Sequence, residues 1–490
     1  MPYYIGADLG TSALKLILCD VNKNIVKIVT EEYDVYYPHH GWSEQNPVDW
    51  WNAFVSGVRK LINGIDKEKV SGIAVAGQMH GLVILDGEDK VIRPAILWND
   101  SRCSKETDYL NNTVGKQNLS DFTANIAFAG FTAPKILWLQ NNEKENFERI
   151  EKIMLPKDYI NYCLTGVHST DYSDASGTLL LDVKNRCWSQ NMLEICGIKE
   201  SRLPKLFESY EKIGSLKCDA AEQLGLSKNV FVAAGAGDNA GAAIGTGTVG
   251  EGKCNISVGT SGTVFISSEK FSMVPNNALH AFCHADGGYH LMGCMLSAAS
   301  CNKWLCEEIF KTEDYSKEQS YITDDMLGNN SVYFLPYLMG ERSPINDTDA
   351  SGVFIGLRAD TKRSDMLLAV LEGVAFAIRD SMETAKKSGI CIKRSTVCGG
   401  GAKSELWLKI FANVLNIELD IPKTEQGPGY GAAILAMADG NKEKIISEPE
   451  IIRSVKPDRE LSALYEKRYN KFIKLYPNIK NLYQELKEEI

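Results

Sequence analysis

The chain has 490 residues, 44% hydrophobic and 24% charged, and its 53 Lys and Arg against 63 Asp and Glu give a formal net charge of −10. That length predicts roughly two to four domains, and the acidic balance argues against nucleic acid or an anionic membrane as the main partner, so an anionic substrate needs local help. Its 13 cysteines without a CxxC pair read as reduced thiols, and neither a signal-like start nor a membrane-length apolar run is present, so a cytoplasmic protein is expected.

The first predicted elements are two strands, YYIGADLG (3–10) and ALKLILCD (13–20), joined at the turn Gly10, Thr11, Ser12. Glycine and hydroxyl residues at a tight turn let backbone N–H groups approach a phosphate. Asp8 would repel that phosphate unless a cation lies between them. Hydrated Mg²⁺ answers this, since it keeps several waters and takes few carboxylates; the alternative is that Asp8 only fixes its own turn. Strands VSGIAVAG (70–77) and GLVILD (81–86) follow, with GQMHG on the turn between them, and LWNDSR (97–102) ends another strand.

In AAGAGDNAGAAIG (233–245), Asp238 precedes small residues that start a helix and reads as its N-cap. A carboxylate there stays ionised and can accept a hydroxyl proton, which is compatible with capping. The small-residue stretch GAAIGTGTVGEG (241–252) marks a domain boundary. Next come CNISVGTS (254–261) and TVFISS (263–268), where ISVGTSGTVFIS (256–267) repeats ADLGTSALKLIL (7–18) as strand, Gly-Thr-Ser turn, strand. His280 and His284 lie in strand and turn, where they need not converge as a zinc site requires.

After the strand YHLMGCML (289–296), a helix is expected from an N-cap at Ser364, with Met366, Leu367, Val370, Val374, Ala377, Ile378 and Met382 at helical spacing and Gly389 as the stop. The strand RSTVCGGG (394–401) leads to Gly400 and Gly401, which carry no side chain to block a purine or ribose; a purely structural turn is the alternative. Ser404 opens a helix through Trp407, Ile410, Phe411 and Val414, and the Lys/Glu-rich tail from Asp458 reads as solvated helix. The alternation makes this an α/β protein. Two hairpins facing one cleft imply domains 1–245 and 246–490 sharing one polyphosphate. No GxxxxGK[ST] loop occurs, so an Asp beside each hairpin, Asp8 and Asp238, is expected to hold the metal through water.

DLGTS (8–12), SVGTSG (257–262) and VCGGGAKSELW (397–407), with GFTAPKILWLQNN (130–142) and GVFIGLRADTKRSDMLLAVLE (352–372), resemble the motifs of the FGGY carbohydrate kinases across nearly the whole chain. The resemblance implies two similar ribonuclease H-like domains of the actin, hexokinase and Hsp70 ATPase superfamily facing a central cleft, and ATP and Mg²⁺ as cofactors. GWSEQNP (41–47), AGQMHGLV (76–83), ILWNDSRC (96–103), LPKDYI (155–160), GAGDNAGAA (235–243) and LPYLMGERSP (335–344) resemble the members that act on pentuloses; glycerol-specific members carry Arg-Glu where this chain has Met79-His80. The implied reaction converts D-xylulose to D-xylulose 5-phosphate.

By resemblance Asp238 is the catalytic base and Asp8 positions Mg-ATP. Gly10, Thr11, Ser12, Gly259, Thr260 and Ser261 are expected to hold phosphates, and Gly400, Gly401 and Ser404 the adenosine. A polyol needs several convergent donors and acceptors, because each unpaired buried hydroxyl costs about 1–3 kcal/mol. Gln78, Met79, His80, Trp98, Asn99, Asp100, Arg102 and Asn239 are the expected sugar residues, with Met79 and Trp98 against the C–H face. Rival readings are a kinase for another ketose or polyol such as ribulose, a non-catalytic sugar sensor, and a chaperone or filament relative. Both aspartates and the intact signatures speak against the last two. The expected partners are the sugar and ATP, with a homodimer as the only macromolecular assembly.

Overall fold

The computed structural model describes residues 1–423, 427–446 and 448–488. Two seven-stranded sheets form its frame. The first contains β1 (Tyr3–Leu9), β2 (Ala13–Asp20), β3 (Ile25–Glu32), β4 (Val70–Gly77), β5 (Lys212–Ser215) and β6 (Phe231–Ala233), in the order β5-β6-β4-β1-β2-β3, with Ala236–Gly237 also paired to β4. The second contains β7 (Cys254–Val258), β8 (Gly262–Ser268), β9 (His280–Cys283), β10 (Tyr289–Met295), β11 (Arg394–Cys398), β12 (Glu418–Pro422) and β13 (Ile451–Val455), in the order β9-β10-β8-β7-β11-β12-β13.

One five-strand path is common to both sheets. β3-β2-β1 and β10-β8-β7 are antiparallel, and β4-β6 and β11-β12 then continue parallel to β1 and β7 respectively. The expected duplication of an α/β unit is therefore present at the level of topology. Central β1 and β4 are mostly buried, as strands covered on both faces should be, whereas β3 alternates half-buried and exposed residues at a sheet edge. Its charged, alternating sequence IVKIVTEE gives only a weak apolar signal, which is why β3 is missing from the predicted strands.

The sheets are joined where α1 (Asp238–Gly245) crosses a helix from the other end of the chain, Gly427–Ala438. A Cβ at Gly431 would sit 1.8 Å from the Gly241 carbonyl oxygen, and one at Gly6 would sit 2.0 Å from that of Gly429. Only hydrogen side chains let these backbones approach. Helix 427–438 thus lies on the first sheet, packing Ala432, Leu435 and Ala436 against Ala74, Ala76 and Ala236.

Two expectations need correction. The long helix is α2 (Arg363–Lys386), and its N-cap is Lys362, not Ser364: the Asp365 carboxylate reaches back to the Lys362 N–H at 2.8 Å and sets the first turn before Ser364 can. Gly389 follows its end in the left-handed region at φ +88°. The tail, α3 (Arg459–Phe472) and α4 (Leu475–Glu488), is not merely solvated. Tyr465, Tyr469, Phe472 and Tyr483 are buried in the main core, and Arg468 pairs with buried Glu372 at 2.7 Å. Among the described residues no helix is long and apolar enough to cross a membrane.

Candidate active site

The first sheet's registers bring two carboxylates together. Asp8 pairs with Ala76 across β1 and β4, and on the far side of β4 Ala236 pairs with the same residue, two positions before Asp238. Parallel strands lie about 4.8 Å apart, so the two residues flank one strand at its C-terminal end. Burial and the charge of Asp238 push the Asp8 carboxyl up to about 7, with Lys15, its partner across the hairpin, pulling it back. Burial raises Asp238 to about 6, against hydrogen bonds from Asn239. Two buried carboxylates, each raised by burial and one of them also by the other's charge, suit a divalent cation that takes few protein ligands, and Mg²⁺ fits them.

Asp238 is not the N-cap; Gly237 holds that place and Asp238 is the first helical residue. The reason is local, since the backbone N–H and side-chain Nδ2 of Asn239 both donate to Asp238 Oδ1, at 2.7 and 2.9 Å. Oδ2 takes neither bond. One amide N–H of Asn239 is therefore spent on orienting the carboxylate.

Behind Asp238 lies a polar cluster that the sequence reading quoted in LPKDYI but gave no role. Lys157 is wholly buried, 2.7 Å from Asp158 and 2.9 Å from Asp171. Ser173 donates its hydroxyl proton to Asp171 and accepts the Gly237 N–H at 3.1 Å, which fixes the backbone just before Asp238. A lysine amid three aspartates is visible only once the helix Pro156–Thr165 and the strand Ser169–Asp171 are packed together.

The two Gly-Thr-Ser turns are not equivalent. In the first, the Trp98 indole donates to Thr11 Oγ1 at 2.9 Å and that hydroxyl donates to Gln78 Oε1 at 3.3 Å, while Gln78 Nε2 bonds Gln45 Oε1 at 3.0 Å. The Thr11 hydroxyl is thus taken. Gln78, buried beneath the turn, supports it and does not reach a sugar. The Gly10 N–H closes the turn on the Ala13 carbonyl at 3.1 Å, and Ser12 is exposed. In the second turn the Gly259 and Thr260 carbonyls accept from Ala299 and Ala298, each at 2.9 Å, and Thr260 and Ser261 are exposed. Ser257 stands in its register where Asp8 stands in the first, so both aspartates belong to the first sheet rather than one to each hairpin.

His80 sits at φ +69° on the turn after β4, with Nδ1 2.6 Å from the Gly177 carbonyl oxygen. Only a protonated nitrogen donates to a carbonyl, so Nε2 is left as an acceptor. Burial holds the ring neutral, with its pKa down to about 3, and it stacks on Phe131 at 4.6 Å. A Cβ on Gly177 would stand 2.5 Å from this ring. Met79 is buried against Gly177 and Gly237, beneath His80 and beside Asp238, instead of lying open to a sugar face. Trp98, 44% exposed, and exposed Asn99 are the residues of their loop that stay open.

Asp100 and Arg102 are bound to each other. The Arg102 side chain, 1% exposed, forms a bidentate pair with Asp100 at 2.9 and 2.6 Å and a 2.7 Å pair with Glu44, and its guanidinium lies 3.7 Å from the Trp42 ring centre. Asp100 also accepts the Ser43 N–H at 2.6 Å, so both of its oxygens are engaged by donors of the protein.

At the third motif, Gly399 to Lys403 forms a tight turn between β11 and the helix Glu405–Leu415. A Cβ on Gly401 would meet Val258 at 2.4 Å, whereas one on Gly400 would meet nothing within 4 Å. Gly401 is therefore a packing glycine, and Gly400 is the one that leaves open space. Ser404 caps the helix by accepting the Trp407 N–H at 3.1 Å and donates to Gln319 Oε1 at 2.6 Å, so its hydroxyl is not free for adenosine.

Residues 3–245 match the FGGY family of carbohydrate kinases, N-terminal domain, and residues 254–439 match its C-terminal domain. The chain is 41% identical to the xylulose kinase of Escherichia coli strain K12 over 485 residues, covering 97% of this chain and 99% of that one. The fold superposes on the crystal structure of a "xyloylose kinase" from Brucella ovis with a TM-score of 0.94 at 40% identity, covering 98% of this chain and all of the other. It also superposes on a gluconate kinase from Lactobacillus acidophilus with a TM-score of 0.93 at 26% identity, covering 99% of each chain. One backbone therefore serves more than one sugar acid or ketose, and the side chains must choose.

Proposed function

The chain belongs to the FGGY family of carbohydrate kinases, and from that premise we propose that it transfers the γ-phosphoryl group of ATP to the terminal hydroxyl of D-xylulose, releasing ADP and D-xylulose 5-phosphate. The observation that carries this reading is Met79, which touches Gly177, the anchor of His80, and Gly237, the residue before Asp238. The sugar loop and the base are thereby fixed to each other.

His80 Nε2 accepts a hydroxyl proton of the ketose while Trp98 and Asn99 bound its open side. Asp238 Oδ2 takes the proton of the attacking terminal hydroxyl, the new O–P bond forms, and the bond from the γ-phosphorus to the bridging oxygen breaks, leaving its electron pair on ADP. Mg²⁺ held through water by Asp8 and Asp238 would neutralise charge on the polyphosphate. Ser12, Gly259, Thr260 and Ser261 hold the phosphates, Gly10 shapes the first turn, and Gly400 makes room for the nucleoside. Thirteen free cysteines support a cytoplasmic location. A homodimer is the assembly we propose, to be checked by sedimentation.

The test is ADP release over a panel of D-xylulose, D-ribulose, gluconate and glycerol. D-xylulose should give the highest kcat/KM. A higher value for any other acceptor overturns the substrate assignment.

A further inference from the structure

Arg342 carries a charge that the mechanism above does not use. It lies in the loop Gly340–Asp347, and its backbone is fixed on both sides: Glu341 Oε1 accepts the Leu296 N–H at 3.0 Å, and the Ser343 N–H donates to the Cys294 carbonyl at 2.9 Å. Cys294 and Met295 end β10, Leu296 follows, and Ala298 and Ala299 just beyond bind the carbonyls of the second phosphate turn. Arg342 is thus held within a few residues of Thr260.

Its guanidinium points the other way, to the sugar lobe. It lies 5.2 Å from the Phe128 ring centre, Phe128 packs on Phe131 at 5.5 Å, and Phe131 stacks on His80. Its charge is felt at His80, His280 and the Cys294 thiol. Unlike Arg102, the half-buried Arg342 forms no ion pair among the described residues. The adjacent Glu341 carboxylate feels this charge, and the Cys294 thiol feels both Arg342 and Asp238, so the guanidinium stands near the aromatic wall of the sugar loop, the phosphate turn and the base. No lysine of a P-loop serves this site, and its nearest carboxylates repel the transferred group.

We infer that Arg342 binds the equatorial oxygens of the phosphoryl group during transfer and then the phosphate of the product, through its planar fork of donors. The inference rests on the proposed sugar kinase reading. The bond changes are those given above, and Arg342 adds charge stabilisation without gaining or losing a proton.

Full-length Arg342→Met and Arg342→Lys are compared with the parent. The Met variant should bind D-xylulose within about threefold of the parent, yet lose about tenfold or more in affinity for D-xylulose 5-phosphate, the size expected when charged hydrogen bonds are lost. Its kcat should fall about a hundredfold, with partial recovery in the Lys variant. Equal loss of affinity for sugar and ester would show a structural role, and unchanged ester affinity would show none; either overturns the inference. Slow hydrolysis of Mg-ATP without any sugar separates the two readings. It should fall in the Met variant whatever the acceptor is, and equal rates overturn the role of Arg342, whereas a parent enzyme unresponsive to D-xylulose overturns the substrate instead.

Discussion

Nδ1 of His80 lies 2.6 Å from the carbonyl oxygen of Gly177, and that contact fixes which nitrogen a substrate meets. The ring is neutral, its pKa lowered to about 3 by burial, so it offers Nε2 as an acceptor throughout the physiological range. His80→Ala should raise the KM for D-xylulose about tenfold or more, the cost of an unpaired hydroxyl, while the KM for ATP stays within about twofold. Gly177→Ala should act in the same direction, because its Cβ would stand 2.5 Å from the ring. Steady-state kinetics with each substrate varied checks both, and the sugar KM of the parent should show no limb near pH 6.5.

Asp238→Asn separates the base from its structural setting. An amide cannot take the hydroxyl proton, so kcat should fall at least about a hundredfold while both substrates still bind. The parent kcat/KM should decline as pH falls through about 7 to 6, where Asp8 and Asp238 of the free enzyme protonate. For stability the sign is opposite to that of an ion-paired carboxylate. The folded state binds the Asp238 proton more tightly than the unfolded chain, so the carboxylate lowers stability as pH rises from about 4 through 6. At pH 8 the Asn variant should therefore melt no lower than the parent, because its amide oxygen still accepts both Asn239 bonds while the buried charge is gone, and calorimetry at pH 5 and pH 8 checks this.

Arg102→Met should do the reverse of Arg342→Met. It leaves buried Asp100 without its cation, while Glu44 keeps Arg93, and removing one partner of a buried pair costs about 3–5 kcal/mol in other proteins. Denaturant unfolding should show that loss. The folded fraction should keep its kcat and KM within about threefold, since the side chain is 1% exposed and contacts no substrate.

Three neighbouring substitutions distinguish nucleotide contact from packing. Gly401→Ala drives a Cβ to 2.4 Å from Val258 and should impair folding, whereas Gly400→Ala meets no protein atom and should raise the KM for ATP in a stable protein. Ser404→Ala removes a helix cap and should cost about 0.5–2 kcal/mol without changing that KM. Thermal melts alongside ATP titrations check all three.

What the sequence determined by itself was whatever acts over a few residues. The Gly-Thr-Ser turns follow from turn chemistry between alternating apolar runs, and the body of α2 follows from its three-and-four periodicity; neither needs knowledge of the rest of the chain. The placement of Asp8 beside a turn and of Asp238 at the start of a helix is local in the same way, but that both flank one strand of the first sheet is decided by the fold. The edge strand β3 and the packed tail were not legible, because charged residues dilute their apolar pattern until α2 and the sheets supply the surface that Tyr465 and Phe472 cover. Nor could sequence say which arginine was free. Arg102 and Arg342 both lie in polar loops, but one meets Glu44 and Trp42 and the other meets Phe128, partners brought close only by folding. The same holds for Thr11, Gln78 and Ser404, whose polar atoms were assigned to ligands and are instead bonded within the protein. Sequence names the donors and acceptors a site can use; tertiary structure decides which are already taken, because each hydrogen-bonding group has few partners and burial fills them first.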